Sequence, residues 1–267
     1  LEYLFDEHPI IEAILQYREL RKLKTTYIDP FPELVAKDGR IHTTFNQAGT
    51  GTGRLASENP NLQNIPIKTK LGQEFRKAFV AKKGYSLVSF DYSQLELRLA
   101  AHISDDKKMI EAFLRGEDIH TRTAAEIFGI KSENVNPVMR RQAKVLNFGI
   151  IYGMGILGFA RAAGVDRNRA REFITKYLNE FSGVAKYMED TKEKVREDGF
   201  VQTLFGRRRQ IPEVFATIQE VMRQGERMAI NAPIQGSGAD MMKIAMARIA
   251  DYIHSNFKEG EVKILLQ

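Results

Sequence analysis

Four side chains recur at steps of four along residues 137–152: Arg140, Lys144, Phe148 and Tyr152. In an α-helix each step turns about 400°, so the four drift by only ~40° per step and form one stripe roughly 18 Å long. Two cations occupy one end of the stripe and two aromatic rings the other. That pairing suits a nucleoside triphosphate, which needs positive charge for its phosphates and a flat apolar face for its base and sugar. Core rings with solvated cations are the commoner arrangement for such a pattern, so the stripe alone leaves both readings open. Gly149 and Gly153 weaken this stretch by about 1 kcal/mol each relative to alanine, which suggests a pivot or the close approach of another backbone.

Asp91 stands near the end of the apolar run Tyr85–Tyr92, which reads as a strand. A carboxylate there is held rigidly and could ligate a hard divalent cation such as magnesium; capping the next helix is the alternative. The following Ser93-Gln94-Leu95-Glu96 fits a capping box, with Ser93 as the cap oxygen and Glu96 as its reciprocal partner. Arg227, Asn231 and Gln235 also fall at steps of four, with Pro233 expected to interrupt the helix between the last two. Their amides could reach base edges or sugar oxygens in a minor groove, or form an ordinary polar face. The run Gly49–Arg54 fits neither common nucleotide-loop template and reads as a flexible loop, with Arg54 a possible phosphate donor. Arg207, Arg208 and Arg209 follow a tight turn and could meet phosphates or be simply solvated.

The elements that must position these residues follow from composition and periodicity. With 43% hydrophobic and 28% charged residues, the 267-residue chain can bury one large core or two modest ones. A net charge of +6 favours polyanionic partners. The lack of cysteine excludes disulfides, thiolate catalysis and sulfur-ligated zinc. No apolar run reaches the ~18 residues of a membrane span, and the amino terminus lacks a basic segment before an apolar block, so an intracellular soluble protein is expected. A leucine at position 1 suggests a chain that begins inside a longer one.

Helical spacing from Ile10 to Lys24 predicts an amphipathic helix with a basic side, ended by Pro30 and Pro32. A Lys37-Asp38-Gly39 turn leads to a strand over Arg40–Gln47. From Ser93 to about residue 196 the pattern is helical, broken near Gly116, Asn136-Pro137 and Gly164. Gly199–Ile211 reads as a hairpin around Phe205-Gly206, further helices run from Pro212 to Phe257, and Val262–Leu266 reads as a short strand. The order is that of an α+β sheet domain interrupted by a helical subdomain.

Taken together, these segments resemble the family A DNA polymerases, the group of bacterial DNA polymerase I. The resemblance is carried by Thr52-Gly53-Arg54-Leu55; Asn59 to Pro66; Asp91 to Arg98; Asp118-Ile119-His120-Thr121; Arg140 to Lys144 through Asn147-Phe148-Gly149 to Tyr152-Gly153; Leu204 to Arg209; and Arg227-Met228-Ala229 with Asn231 through Gln235-Gly236. It spans essentially the whole chain.

The resemblance implies a right-hand fold: an antiparallel palm sheet interrupted by an all-α fingers subdomain. Residues 1–27 would be the end of the thumb, 28–92 the first part of the palm, 93–257 the fingers and adjoining helices, and 258–267 a palm strand. It also implies roles. Asp91 and the Tyr92 carbonyl would hold two magnesium ions. Arg140 and Lys144 would grip the triphosphate, Phe148 and Tyr152 would flank the sugar and templating base, and Gln94 and His120 would lie near sugar and phosphates. Glu96 would press on the sugar's 2′ position, so that a ribonucleotide clashes. Arg54, Gln63, Asn64, Arg227, Asn231 and Gln235 would hold primer and template, joined from the thumb side by Lys22, Lys24 and Tyr27. The expected reaction is attack of a primer 3′-hydroxyl on the α-phosphate of a deoxynucleoside triphosphate, by a monomer in the bacterial cytoplasm near the nucleoid; an organelle or phage origin stays open.

The family follows the strand at Val262–Gln267 with a His-Asp-Glu motif that supplies a second metal-binding carboxylate, and this sequence ends before it. Near-inactivity of the 267 residues in primer extension is therefore expected. Two other readings remain: a fragment that binds primer-template DNA without catalysis, and a relative of phage RNA polymerases, which Glu96 disfavours.

Overall fold

The computed structural model of the chain describes residues 8–67 and 69–265. They are mostly helical, with two small antiparallel sheets, and divide into two compact units: Gly51–Arg54 with Asp91–Ile264 in one, the remainder in the other. The first seven residues of the expected thumb end lie outside the described residues.

In the smaller unit, α1 (Ile10–Leu23) runs through a π-helical turn, Lys24–Ile28, into the short α2 (Pro30–Glu33). The prolines expected to end the first helix begin the next one, because Pro30 sits at a first-turn position whose missing N–H costs no hydrogen bond. Leu23, Tyr27 and Phe31 point inward against Phe75 and Phe79, in a cluster of rings with centroids 5.4 to 6.2 Å apart. Phe75 belongs to α3 (Lys70–Arg76), whose start is capped by the Thr69 hydroxyl accepting from Gly72 N at 3.2 Å. Strand β1 (Thr44–Asn46) pairs antiparallel with β2 (Ala56–Glu58).

The expected strand over Tyr85–Tyr92 does not form: these residues carry no regular secondary structure and pair with no strand. A strand needs a neighbour to satisfy its backbone, and none of the described residues supplies one. Its apolar side chains are consequently exposed, Phe90 to 92%. Val262–Leu265 is likewise not a strand, and Leu266 and Gln267 of that expected element lie outside the described residues.

The larger unit is the helical block. Its helices α4 (Leu95–Ile103), α5 (Lys107–Leu114), α6 (Ile119–Phe128), α7 (Pro137–Ile151), α8 (Ile156–Ala163), α9 (Arg167–Glu180) and α10 (Ser182–Asp198) bury a common core that includes Leu97, Met109, Ile119, Leu146, Phe173 and Tyr177. Side-chain caps define the starts of four helices: Asp106, Asp118, Asn136 and Asp166 each accept from backbone N–H groups of the first turn. Asp106 does so twice. One oxygen takes Met109 N at 2.9 Å, the other takes Gly183 N at 2.8 Å, tying the start of α5 to the start of α10.

The capping box expected at Ser93 does not form. Gln94 takes the cap position in the left-handed region, at φ 54°, and its side chain makes no cap bond. Glu96 is drawn off by stronger partners elsewhere, which removes the reciprocal half of the box.

A hairpin of β3 (Phe200–Gln202) and β4 (Arg208–Gln210) turns at Gly206, whose φ of 87° suits glycine. The 38-residue α11 (Gln219–Asn256) then runs unbroken through Pro233, contrary to the interruption expected there. Ala229, Ala232, Pro233, Ile234 and Gly236 are all buried, so packing on this face offsets the lost backbone bond. No described helix is long and apolar enough to cross a membrane.

Candidate active site

The stripe read from the sequence is a real face of α7. Arg140 pairs with Asp118, the cap of α6, through Nη2–Oδ2 and Nε–Oδ2 contacts of 2.6 and 3.2 Å. Burial alone would raise the Asp118 carboxyl, but hydrogen bonds from Arg140 and from Thr121 N outweigh it and hold the group below its ordinary value. Lys144 is exposed one turn further on. The Phe148 and Tyr152 rings lie nearly parallel, at 17° and 6.5 Å, and the other side of Phe148 meets the His120 ring at 5.8 Å. The rings are therefore neither wholly core nor wholly solvated: Phe148 is half-buried and Tyr152 is 39% exposed.

His120 itself is buried on α6, with Nδ1 at 2.9 Å from the Asn147 amide nitrogen. Burial lowers the imidazole to about 4; Asp118 works against this shift, and Arg140 and Lys144 add to it. The ring is neutral at pH 7.

At the aromatic end of the stripe, Glu96 accepts hydrogen bonds on both oxygens, from Arg54 and from the Tyr152 hydroxyl. Burial first, and then the Glu96 carboxylate, raise the Tyr152 phenol above its ordinary value, while Gln235 donates to the same oxygen. Asn231 reaches Ile151 O at 3.5 Å, and Arg227 pairs with Glu220 at 3.2 Å. The close approach suspected at Gly153 is that of α11. Gly153 has φ 66°, and a Cβ there would stand 2.7 to 3.2 Å from Arg227 atoms.

The glycine-threonine loop is filled by the arginine run of the hairpin. A Cβ on Gly53 would meet Arg207 at 2.7 Å, and one on Gly51 would meet Arg209 at 3.2 Å. Arg207 forks onto buried Asp240 through Nε and Nη2 at 2.8 and 2.5 Å, and Thr203 donates to the other Asp240 oxygen at 2.8 Å. Arg208 lies over the Phe200 ring at 4.8 Å. Arg207 and Arg208 are nonetheless exposed, and Arg209 is partly buried.

Asp91 and Tyr92 follow each other, both exposed and outside any regular element. Their carboxylate and carbonyl are hard oxygen donors, the kind magnesium prefers. Among the described residues no group of three or more acidic or imidazole side chains is gathered to hold an ion, so these donors suit part of one coordination sphere.

In the smaller unit Lys22 is exposed, and Lys24 forms an ion pair with Asp29 at 2.6 Å. Tyr27 is 3% exposed, with its hydroxyl donating to Asn64 O at 2.5 Å. The Tyr27 ring completes the aromatic cluster of the smaller unit. Gln63 accepts from Ser57 N at 3.2 Å, and the Asn64 side chain is exposed.

Sequence reasoning missed Thr123, Asn147 and Asp240 as site-shaping residues. Asp240 carried one signal: a lone acid among the small and apolar residues 236–242 of a helix must be paired when buried.

The family model described as DNA polymerase family A matches residues 1–267. The chain belongs to DNA polymerase family A. It is 51% identical, over its whole length, to a thermostable DNA polymerase I of Thermus aquaticus, of which it covers 32%. To DNA polymerase I of Pseudomonas aeruginosa it is 46% identical, with 94% of this chain and 28% of that protein covered. This family A chain thus spans about a third of its curated relatives. Its fold is similar to that of the polymerase domain of Pol1 from M. smegmatis, solved in complex with DNA primer-template and dNTP, at a TM-score of 0.88 and 41% identity, covering 95% of this chain and 45% of that one.

Proposed function

We propose that this family A chain is the nucleotide-binding core of a template-directed DNA polymerase, with its helical block in the role of fingers. The observation that carries the reading is the run from Arg140 through Lys144, Phe148 and Tyr152 to the shared carboxylate of Glu96. It offers charge for a triphosphate, a ring face for a sugar and base, and a fixed acid at the far end. The M. smegmatis polymerase domain, solved with both primer-template and dNTP, supports the same partners for this chain.

In this reading Arg140 and Lys144 bind and orient the triphosphate, and neutral His120 adds a hydrogen bond to it. Phe148 and Tyr152 stack along the sugar and the templating base, with Gln94 near the sugar. Glu96, fixed by Arg54 and Tyr152, excludes a 2′-hydroxyl by contact and desolvation. Arg54, Arg227, Asn231 and Gln235 hold primer and template, and so do Lys22, Lys24, Tyr27, Gln63 and Asn64. Asp91 and the Tyr92 carbonyl would hold magnesium; a second ion calls for a further carboxylate. When bound, magnesium supplies charge stabilisation to the entering and leaving oxygens of nucleotidyl transfer. The protein acts as a cytoplasmic monomer.

Two measurements test this together: binding of primer-template at two salt concentrations, and primer extension by the chain and by a polypeptide that continues it through a His-Asp-Glu motif. Salt-sensitive binding with extension by the longer polypeptide is expected. Salt-sensitive binding with no product from either would favour a DNA-binding role without catalysis.

A further inference from the structure

Thr123, Asn147 and His120 form a buried chain of polar groups behind the ring stripe. Thr123 and Asn147 are fully buried and His120 is 3% exposed. The Thr123 hydroxyl shares its one proton between two acceptors, Ile119 O at 2.8 Å and Asn147 Oδ1 at 3.1 Å, and Asn147 Nδ2 lies 2.9 Å from His120 Nδ1. Buried groups of this kind must pair with complementary partners, so the orientation of one amide dictates the proton position on the imidazole. An amide nitrogen facing Nδ1 makes that atom an acceptor and leaves the proton on Nε2.

We propose that Asn147, oriented by Thr123, is a positioning residue that holds His120 as the Nε2–H tautomer, so that the ring presents a neutral N–H donor to the triphosphate. The donor half rests on the function proposed above; the tautomer half rests on geometry alone. A reversed amide would put the proton on Nδ1 and turn a bare Nε2 lone pair toward an anion. Protonation would cure that conflict, but burial and the neighbouring Arg140 and Lys144 oppose it, and only Asp118 pulls the other way. The Asn147 orientation seen here needs no such cure. Phe148, next in sequence to Asn147, packs on the same imidazole at 5.8 Å between ring centroids.

The test is a long-range proton–nitrogen correlation on ¹⁵N-histidine-labelled chain at pH 7. The sequence holds five histidines, so the His120 signals are assigned by their loss in His120→Gln. An unprotonated Nδ1 with a protonated Nε2 is expected. Asn147→Asp, which can only accept, should move the proton to Nδ1 or protonate the ring. Thr123→Val, a milder change that frees the amide to turn, should give a mixture of tautomers. An Nδ1–H or doubly protonated ring in the parent chain, or an unchanged tautomer in both variants, overturns the proposal. Adding a magnesium deoxynucleoside triphosphate should shift the Nε2 signal. Binding of the triphosphate, followed by fluorescence, with no Nε2 shift overturns the donor half alone. No binding at all, with the Nε2–H signature intact, overturns the functional reading and leaves the tautomer assignment standing.

Discussion

Glu96 and Tyr152, 56 residues apart in sequence, meet through a hydrogen bond from the phenol to the carboxylate at the end of the α7 stripe. Arg54 takes the other carboxylate oxygen, so both oxygens of Glu96 are engaged. Glu96→Ala should therefore raise ribonucleotide incorporation by at least about tenfold relative to deoxyribonucleotide. Competitive extension with the two sugar forms, in a catalytically competent polypeptide carrying this chain, measures the ratio. An unchanged ratio would count against the sugar-filter role.

Arg140 and Lys144 stand one helical turn apart and face the same way. Removing either by alanine should weaken triphosphate affinity by roughly 10- to 100-fold, the range expected for one charge-assisted hydrogen bond. The helix itself should persist, since its cap, Asn136, is untouched. Equilibrium binding and circular dichroism on the same samples separate lost contact from lost fold. Unaltered affinity in both variants would remove the stripe from the binding site.

Asp240 is the buried half of the Arg207 pair, with its side chain 7% exposed. Asp240→Ala removes two charge-assisted hydrogen bonds from Arg207 and leaves Thr203 without its acceptor, and should cost about 2 kcal/mol. Denaturant unfolding gives the number. Replacing both Asp240 and Arg207 should cost less than the sum of the single changes, because the desolvated charge disappears with its partner. Additive losses would mean that the pair contributes nothing as a pair.

Tyr177 is fully buried, and its hydroxyl finds no hydrogen-bond partner among the described residues. Tyr177→Phe removes a polar atom that is desolvated without compensation and should be neutral or stabilising by about 1 kcal/mol. A loss of more than that on thermal unfolding would reveal a partner for the hydroxyl.

Stability should fall with acid in a defined window. The folded imidazole of His120 titrates near 4 and an ordinary histidine at 6.5. Between these values the unfolded chain binds a proton that the folded chain refuses. The contribution is thus complete above 6.5, and about 3 kcal/mol is lost as the pH drops toward 4. Asp118, lowered from 3.8, adds its own loss only below that point, as its carboxylate is protonated in the folded state too. His120→Gln keeps the buried amide contact available and should flatten the upper window in urea unfolding against pH. An equally steep dependence in the variant would sink the assignment.

The helical block was legible because its signals are local. The breaks at Asn136-Pro137 and Gly164 and the four-residue stripe each depend on neighbours within one or two turns. The same reasoning erred at Pro30 and Pro233, where the surrounding packing or the first-turn position made proline tolerable. It erred at Tyr85–Tyr92 for a different reason: an apolar run becomes a strand only when another strand lies beside it.

What the sequence determined by itself is the order of helices, the face on which two cations and two rings align, and membership of a polymerase family written across its motifs. Only the tertiary structure decided that Glu96 serves Arg54 and Tyr152 and does not close a capping box, that Arg207 is spent on Asp240, and that Tyr27 is core. Periodicity and capping are settled by contacts a few residues long. These pairings join residues 33 to 56 positions apart, and which of several possible partners a charged or aromatic side chain takes depends on how the helices pack.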